Sequence, residues 1–377
     1  MKIEQRMWTE AKGWQPNNPA LESAQLVLAF GATPILRSQE QIQQIREAYP
    51  AAHVIGCSTA GEIQGIRVRD NSLAITSIQF EHTQIRGAQT QLGPTVDSFQ
   101  AGKQLAQSFR PDGLVHVFVL SDGNLVNGSE LVQGLVKHLP PNVALTGGLA
   151  GDGSRFEQTL VFLDTMPAEG RIAALGFYGN RLRVGYGSMG GWDPFGPDRL
   201  ITRAEGNVLY ELDGQSALGL YKKYLGEYAA DLPASALLFP LQLRTPAGET
   251  GVVRTILSID EQEGSMFFAG NVPEGTYARL MKANFERLVD GAMEAAQTNY
   301  RALNSSAPDL AILISCVGRK LVLGQMVEEE VEAVQEVLGK KTALTGFYSY
   351  GEIAPFTPSA ACKLHNQTMT ITTFSEV

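Results

Sequence analysis

The sequence predicts an α/β protein with some antiparallel hairpins, organised as two related domains built from repeated strand-helix-strand units. Three segments each place a nearly continuous apolar strand before an amphipathic helix and a second apolar strand. Strands of this kind are typical of parallel sheets that are buried on both faces. Between these segments lie short pairs of β segments with turn residues, which favour antiparallel hairpins.

The three units share one order of elements. In the first unit, the strand QLVLAFGA precedes a helix that Ser38 and Gln41 are expected to cap and Pro50 to end, and the strand HVIGCS follows. The second unit reads LVHVFVLSDG, SELVQGLVKHL and VALTGGLAGDG as strand, helix and strand. The third reads DLAILISCVG, MVEEEVEAVQEVL and TALTGFYSYGEI in the same order.

The segments between the units predict hairpins, one long helix and a domain boundary. SLAITSIQF with HTQIRGAQT, RIAALGFYG with RLRVGYGSMG, and GVVRTILSID with GSMFFAG are the predicted hairpins. An amphipathic helix is predicted over about 284–303. Gly and Pro cluster at 190–199, which predicts a boundary there. The expected organisation is an N-terminal segment 1–23, a first domain 24–196 and a second domain 197–377.

Composition excludes several classes of protein. The chain has 377 residues, of which 44% are hydrophobic and 18% charged, as in ordinary globular proteins. A net charge of -9 and the lack of a basic run argue against nucleic-acid binding, which depends on neutralising phosphates. No apolar run is long enough for a bilayer, the N-terminus lacks a signal-peptide pattern, and three scattered cysteines form no disulfide framework. We therefore expect a cytoplasmic protein without a membrane or nucleic-acid partner.

A loop sequence occurs twice, near opposite ends of the chain. GCSTAGEI at 56–63 matches GFYSYGEI at 346–353, and the second unit shares Ala-Leu-Thr-Gly with the third. This agreement indicates an internal duplication. The matched pairs are Gly56 and Gly346, Thr59 and Ser349, Gly61 and Gly351, Glu62 and Glu352, and Ile63 and Ile353.

The repeated loops are the predicted ligand site. Ligands of open α/β sheets bind beyond the carboxyl ends of the strands, where both loops are expected to lie. Glycine permits a positive φ and a close backbone approach to a ligand, and exposed N–H groups, hydroxyls and carboxylates would line a polar pocket. The alternative is that both loops are only tight connections, in which Glu62 and Glu352 hold backbone N–H groups.

These motifs resemble a known family. IGCSTAGEI is similar to the signature of FIST N domains, and ITRAEGNVLYELDGQSALGLYKKYLG and TGFYSYGEIAP are similar to FIST C domains. The resemblance implies an intracellular sensory module for amino-acid-like ligands, which signals through a separate partner such as a histidine kinase or a cyclic-nucleotide enzyme. The expected ligand-binding residues are Ser58, Thr59, Gly61, Glu62, Tyr348, Ser349, Tyr350, Gly351, Glu352, His365 and Asn366.

Two chemical alternatives remain open. Some members of the family bind haem and sense nitric oxide, so haem held non-covalently is the alternative cofactor, with His365 in KLHNQTMTI as the candidate axial ligand. Otherwise we expect neither a cofactor nor a metal. An enzyme using Cys57 or the loop carboxylates is the second alternative. No sequence feature ties a histidine to Cys57, and no catalytic constellation is evident, so we interpret the chain as a non-enzymatic sensor.

Overall fold

The structure is a computed structural model that describes residues 1–93, 96–244, 251–303, 306–356 and 360–377. The described residues form eight α-helices and 26 β-strands. The helices are α1 (Thr33–Arg37), α2 (Glu40–Ala48), α3 (Ser98–Ser108), α4 (Gly128–His138), α5 (Ala217–Leu225), α6 (Phe285–Ala302), α7 (Val317–Leu323) and α8 (Glu328–Leu338). Short 3-10 helices cover Gly226–Asp231, Ala234–Leu238 and Gly324–Met326.

The strands divide evenly at residue 189. The first thirteen are β1 (Lys2–Thr9), β2 (Gly13–Gln15), β3 (Leu26–Gly31), β4 (His53–Ser58), β5 (Glu62–Gln64), β6 (Arg67–Arg69), β7 (Ser72–Gln79), β8 (Gln84–Gln91), β9 (Leu114–Ser121), β10 (Ala144–Leu149), β11 (Val161–Leu163), β12 (Arg171–Tyr178) and β13 (Leu182–Met189). The others are β14 (Trp192–Glu205), β15 (Val208–Leu212), β16 (Gln215–Ser216), β17 (Leu241–Arg244), β18 (Val253–Arg254), β19 (Ile256–Asp260), β20 (Ser265–Phe268), β21 (Tyr277–Ala283), β22 (Leu310–Cys316), β23 (Ala343–Ser349), β24 (Gly351–Pro355), β25 (Cys362–His365) and β26 (Met369–Glu376).

Four sheets contain these strands. Sheet I has the order β11-β4-β3-β7-β1-β2, sheet II the order β25-β24-β10-β9-β12-β8, and sheet III the order β13-β26-β22-β23-β5-β6. Sheet IV is antiparallel and has the order β18-β17-β21-β14-β15-β20-β19, with β16 paired to β15. All strands of sheet IV lie between residues 192 and 283, so it is one continuous insertion between the second and third predicted units.

Sheets I to III follow one plan. At the centre of each is a parallel pair, β3 with β4, β9 with β10, or β22 with β23. These pairs are the predicted strand-helix-strand units, called units 1, 2 and 3 below. The first strand of each pair is followed by an antiparallel strand, β7, β12 or β26, and then by an outer strand, β1, β8 or β13.

The remaining strand beside each parallel pair comes from a different unit. β5 follows unit 1 and pairs with β23 of unit 3, while β24 follows unit 3 and pairs with β10 of unit 2. β11 follows unit 2 and pairs with β4 of unit 1. This exchange closes a ring of three sheets with the same connectivity, so the internal repeat is a triplication.

One glycine in each unit permits the close packing of the parallel pair. A Cβ added at Gly56, Gly147 or Gly346 would lie 2.1, 1.8 or 1.8 Å from a backbone oxygen of the neighbouring strand. Gly147 and Gly346 also share a φ of +155°, which side-chain-bearing residues rarely adopt. The shared glycine of the two sequence loops is therefore required by the fold, in all three units.

The interior between sheets I, II and III is mainly apolar and draws on all three units. The rings of Phe30 in unit 1 and Phe347 in unit 3 have centroids 4.7 Å apart. Two threonine pairs cross between sheets, with Oγ1–Oγ1 distances of 2.9 Å for Thr76 with Thr345 and for Thr372 with Thr146. None of the described helices is both long and apolar enough to cross a bilayer.

Two of the three predicted hairpins are wrong. β7 and β8 are consecutive but belong to sheets I and II, and β12 and β13 belong to sheets II and III. Only β19 and β20 form the predicted pair. Alternation and turn residues specify that a segment is a strand, but here the outer strand of one sheet is supplied by the chain leaving the previous sheet.

The structure also differs from the predicted N-terminal segment, domain boundary and helix cap. The segment 1–23 contains β1, which pairs with β7 over eight residues and is thus part of sheet I. The expected boundary between residues 196 and 197 falls inside β14, and sheets II and III each combine strands from both sides of it. Gln39, rather than Ser38, precedes the first residue of α2 and makes no side-chain cap. The long predicted helix is α6, as expected.

Candidate functional site

The matched loops follow β4 and β23 at the carboxyl ends of parallel strands, as predicted. The third copy of the loop follows β10 and is longer. Seven positions separate Gly56 from Ile63 and Gly346 from Ile353, whereas fifteen separate Gly147 from the equivalent Phe162. The eight extra residues obscure the third copy in the sequence.

Glu62 is held inside the protein by its own loop and by β7. Its side chain is 1% exposed. One carboxyl oxygen lies 2.5 Å from Thr59 Oγ1, and the other lies 2.6 Å from Ser72 Oγ and 3.2 Å from Ser72 N. Burial raises the pKa of Glu62 to about 7.

Glu352 repeats this arrangement in the second loop. One carboxyl oxygen accepts from Ser349 Oγ at 2.7 Å, and the other accepts from Thr368 Oγ1 at 2.8 Å and Thr368 N at 3.0 Å. Its side chain is fully buried, and burial raises its pKa to about 8. Both glutamates therefore secure the chain that leaves the loop, which matches the alternative interpretation of tight connections.

The N–H groups of Ser58, Ala60 and Gly61 in the first loop are occupied, contrary to the predicted exposed donors. Ala60 N donates to Tyr348 O, and Gly61 N donates to Thr59 Oγ1. Gly151 N and Gly153 N donate in turn to the carbonyl oxygens of residues 58 and 59. The cause is the strand exchange, which brings a neighbouring unit against each side of the loop.

Ser58 and Tyr348 are also structural. Ser58 Oγ accepts from Leu160 N at 2.8 Å in the long loop of unit 2. The Tyr348 hydroxyl donates to Glu330 Oε1 at 2.5 Å, and Tyr348 is fully buried. Glu330 in turn forms a fully buried ion pair with Arg319, at 2.7 Å.

Tyr350 and Asn366 are buried at the contact between loops. The Tyr350 hydroxyl lies 3.2 Å from both Phe156 N and Gly153 O, and its ring stacks on Phe156 at 4.4 Å. Asn366 Nδ2 donates to Tyr350 O at 3.1 Å. Gly351 begins β24 and pairs with Leu149 of unit 2. The second loop is therefore packed against unit 2 and lines none of the clefts described below.

The surroundings of His365 do not fit a haem ligand. The residue is 3% exposed, and its Nε2 lies 2.9 Å from Ala354 O within the β24–β25 pair. Burial lowers its pKa to about 4, so the ring is neutral. Its Nε2–H is engaged by the backbone, and a haem would have to displace the adjoining strand to reach it.

Cys57 is equally inaccessible. It lies in β4 with no exposed surface, and burial raises the pKa of its thiol well above the usual value. A reactive cysteine requires an accessible thiolate. This geometry does not support Cys57 as a nucleophile.

One cleft does border the first repeated loop. This loop cleft has a volume of ≈ 450 Å³ and lies where loops of units 1 and 2 meet α7, which follows the first strand of unit 3. Of the predicted residues, Thr59, Gly61 and Glu62 line it. Its other lining residues are Ala32, Ala60, Asp70, Asn71, Gly153, Ser154, Arg155, Val317, Lys320, Leu321 and Gly324.

Two ion pairs give the loop cleft both signs of charge. Lys320 Nζ donates to Ala60 O at 2.7 Å and is paired with Asp70, whose side chain is 63% exposed. Arg155 is paired with the buried Asp152, and this contact lowers the pKa of Asp152 even though burial opposes the shift. The cleft thus offers two cations and one accessible carboxylate.

Sequence reasoning missed Lys320, Asp70 and Arg155. Gly61 admits Lys320, because a Cβ at position 61 would lie 2.7 Å from Lys320 Nζ. Lys320 and Arg155 each follow a strand of a unit, in α7 and in the long loop. Their positions after strands of the units could have marked them as candidates. They were missed because neither residue has an equivalent in the repeated Gly-Glu-Ile loop.

The fold and the loops place the chain in one family. The family model described as FIST N domain matches residues 25–215, and that described as FIST C domain matches residues 217–355. The chain therefore belongs to the FIST family, whose domains are sensory and implicated in small-ligand binding in signal transduction.

Relatives share about a quarter of the residues. The chain is 24% identical over 348 residues to an uncharacterised protein of Methanocaldococcus jannaschii, covering 82% of this chain and 65% of the relative. It is 24% identical over 325 residues to an uncharacterised protein of Mycobacterium tuberculosis, covering 81% and 79%. The chain thus spans just under two thirds of the archaeal relative.

Solved structures give only distant matches. A cyanuric acid hydrolase from A. caulinodans covers 78% of this chain and 99% of its own at 11% identity, with a TM-score of 0.19. A second cyanuric acid hydrolase structure covers 79% and 100% at 11% identity, with a TM-score of 0.17. Similarity at this level supports no conclusion about chemistry.

Proposed function

We propose that this protein is an intracellular sensor that binds an amino-acid-like ligand in the loop cleft and signals through a separate protein. One observation supports this proposal above the others: the loop cleft combines Lys320 and Arg155 with the accessible carboxylate of Asp70. A ligand carboxylate would pair with the cations, and a ligand ammonium with Asp70.

The loop cleft also suits signal transmission. Thr59 belongs to the loop of unit 1, Arg155 to that of unit 2, and Lys320 to α7 of unit 3. A ligand touching all three would bind one arrangement of the units better than another, and it would shift the population toward that arrangement. A partner such as a histidine kinase that distinguishes the two arrangements then responds to the ligand.

A thermal-shift titration with the twenty amino acids tests the proposal, because a ligand that binds only the folded state raises Tm. We expect one or more amino acids to raise Tm of the wild type without being consumed. The increase should be lost in Lys320→Met and Asp70→Asn. Lys223→Met, which changes an exposed lysine of α5, is the matched control.

Two results would contradict the proposal. One is that no amino acid stabilises the wild type up to millimolar concentration. The other is that Lys320→Met and Asp70→Asn retain the full ligand-induced increase in Tm, which would place the ligand elsewhere.

A further inference from the structure

A larger cleft lies away from the repeated loops. It has a volume of ≈ 600 Å³ and is bounded by α4 of unit 2, by β17 and β18 of sheet IV, and by β25. We call it the arginine cleft, after Arg254 of β18. Its volume lies in the range of small-molecule sites, about 300–1,000 Å³.

Arg254 is buried in the wall of this cleft. It is 5% exposed, and it donates from Nε to Asn271 O at 3.2 Å, from Nη1 to Leu364 O at 3.0 Å and from Nη2 to Ser129 Oγ at 3.3 Å. These contacts use three of the five N–H groups of a guanidinium. Within the described part of the chain, no carboxylate forms an ion pair with Arg254.

A second buried arginine, Arg319, has the carboxylate partner that Arg254 lacks. Arg319 is fully buried and, like Arg254, donates to backbone carbonyls, but Glu330 neutralises it with contacts of 2.7 and 3.0 Å. A charge transferred from water to a protein interior is costly unless it is paired. Arg254 therefore lacks the anion that Arg319 has, and unlike Arg319 it lines the arginine cleft.

The rest of the arginine cleft is cationic and apolar. Lys137 and Lys363 add positive charge at exposed positions, Arg244 also lines the cleft and is paired with Asp198, and no Asp or Glu occurs among the described lining residues. Val132, Leu243, Val252 and Leu364 supply hydrocarbon surface. This combination suits an anion with an apolar body and gives a ligand ammonium no partner.

We propose that the arginine cleft binds a small amphipathic carboxylate, such as a medium-chain aliphatic acid. The carboxylate accepts the two remaining N–H groups of Arg254, and the hydrocarbon part contacts Val132, Val252 and Leu364. The site joins unit 2 to sheet IV, and it is separate from the proposed amino-acid site because the two clefts share no lining residue.

Calorimetric titration with sodium octanoate tests this site, with octanamide as the uncharged probe. We expect octanoate to bind the wild type at least tenfold more tightly than octanamide, and Arg254→Met to lose at least tenfold in octanoate affinity. Arg203→Met, which changes an exposed arginine of sheet IV, should bind octanoate like the wild type.

Two further variants keep the test decisive. Val136→Trp fills the cleft from α4 while retaining Arg254, and it should also weaken octanoate binding. Glu249 lies outside the described residues, and Glu249→Gln should bind octanoate like the wild type. The proposal is overturned by no octanoate binding, by equal binding of octanamide, by undiminished binding in Arg254→Met or Val136→Trp, or by tighter binding in Glu249→Gln, which would identify Glu249 as the natural partner.

Discussion

Glu62 and Glu352 occupy equivalent positions in two exchanged strands, and each carboxyl group joins a hydroxyl three residues earlier to the N–H and hydroxyl of a later residue. The later residue is Ser72 for Glu62 and Thr368 for Glu352. The repeated Gly-Glu-Ile sequence thus encodes the return of the chain after strand exchange. The charged groups available to a ligand in the loop cleft belong to other residues: Lys320, Asp70 and Arg155.

The raised pKa values of Glu62 and Glu352 predict that the protein loses stability as pH rises. Their pKa values are raised to about 7 and about 8, above the ordinary value of 4.5, so the folded state binds more protons than the unfolded state between these limits. The stability that each glutamate contributes is fully present below about pH 4.5 and is lost as pH rises through its folded pKa. The total loss is about 1.4 kcal/mol for each unit by which the pKa is raised.

Urea unfolding at pH 5, 6.5 and 8 measures this effect. We expect Glu352→Gln to lose less stability over this interval than the wild type, because an amide keeps the hydrogen bonds without titrating. Glu332→Gln, at an exposed position of α8, is the control and should follow the wild type. Parallel pH profiles for the wild type and Glu352→Gln would refute the assignment.

The shared glycine predicts a large cost for a single methyl group. Gly346→Ala would place Cβ 1.8 Å from Leu313 O at a φ of +155°. We expect it to lower the free energy of unfolding by on the order of 3 kcal/mol, because the parallel pair must separate. Gly93→Ala, where nothing lies within 4 Å of the added Cβ, should change it by less than about 0.5 kcal/mol. Equal losses in chemical denaturation would contradict the packing argument.

The buried ion pair of unit 3 predicts strong dependence on Glu330. Removing its charge with Glu330→Gln leaves Arg319 buried and unpaired, and it weakens the contact from the Tyr348 hydroxyl. We expect a loss of about 3–5 kcal/mol. The more exposed pair of Arg67 with Glu328 provides the comparison, since Glu328→Gln should cost at most about 1 kcal/mol. Similar denaturation midpoints for these two variants would be the contrary result.

Cysteine labelling tests the accessibility of the repeated loop. Cys57 and Cys316 are buried, and burial raises the pKa of both thiols. We expect iodoacetamide at pH 7.5 to leave Cys57 and Cys316 unmodified in the native protein and to modify both after unfolding, as read by peptide mass spectrometry. Rapid native labelling of Cys57 would restore it as a candidate nucleophile.

His365 predicts the outcome of a haem titration. Because its Nε2 is engaged by Ala354 O, we expect His365→Ala to have the same visible spectrum as the wild type when haem is added. His82→Ala, at an exposed position, serves as the control for surface association. A Soret band that His365→Ala alone loses would show that the β24–β25 pair opens to admit haem.

Much of the local structure was predictable because it depends on nearby residues. The apolar runs at Leu26–Gly31 and Leu310–Cys316 and the periodic stripe of α6 specify strands and a helix by burial pattern alone. The repeated Gly-Glu-Ile sequence correctly indicated a repeated structure. Its third copy was hidden because eight extra residues separate Gly147 from Phe162.

The sequence by itself determined the family, the α/β class, the unit order and the position of both loops at strand ends. Only the tertiary structure decided which strands pair and which charges share a cleft. Backbone hydrogen bonds do not depend on side-chain identity, so β5, β11 and β24 carry no local sign of the unit that receives them. Lys320 and Asp70 are 250 positions apart and pair only because that exchange brings units 1 and 3 together.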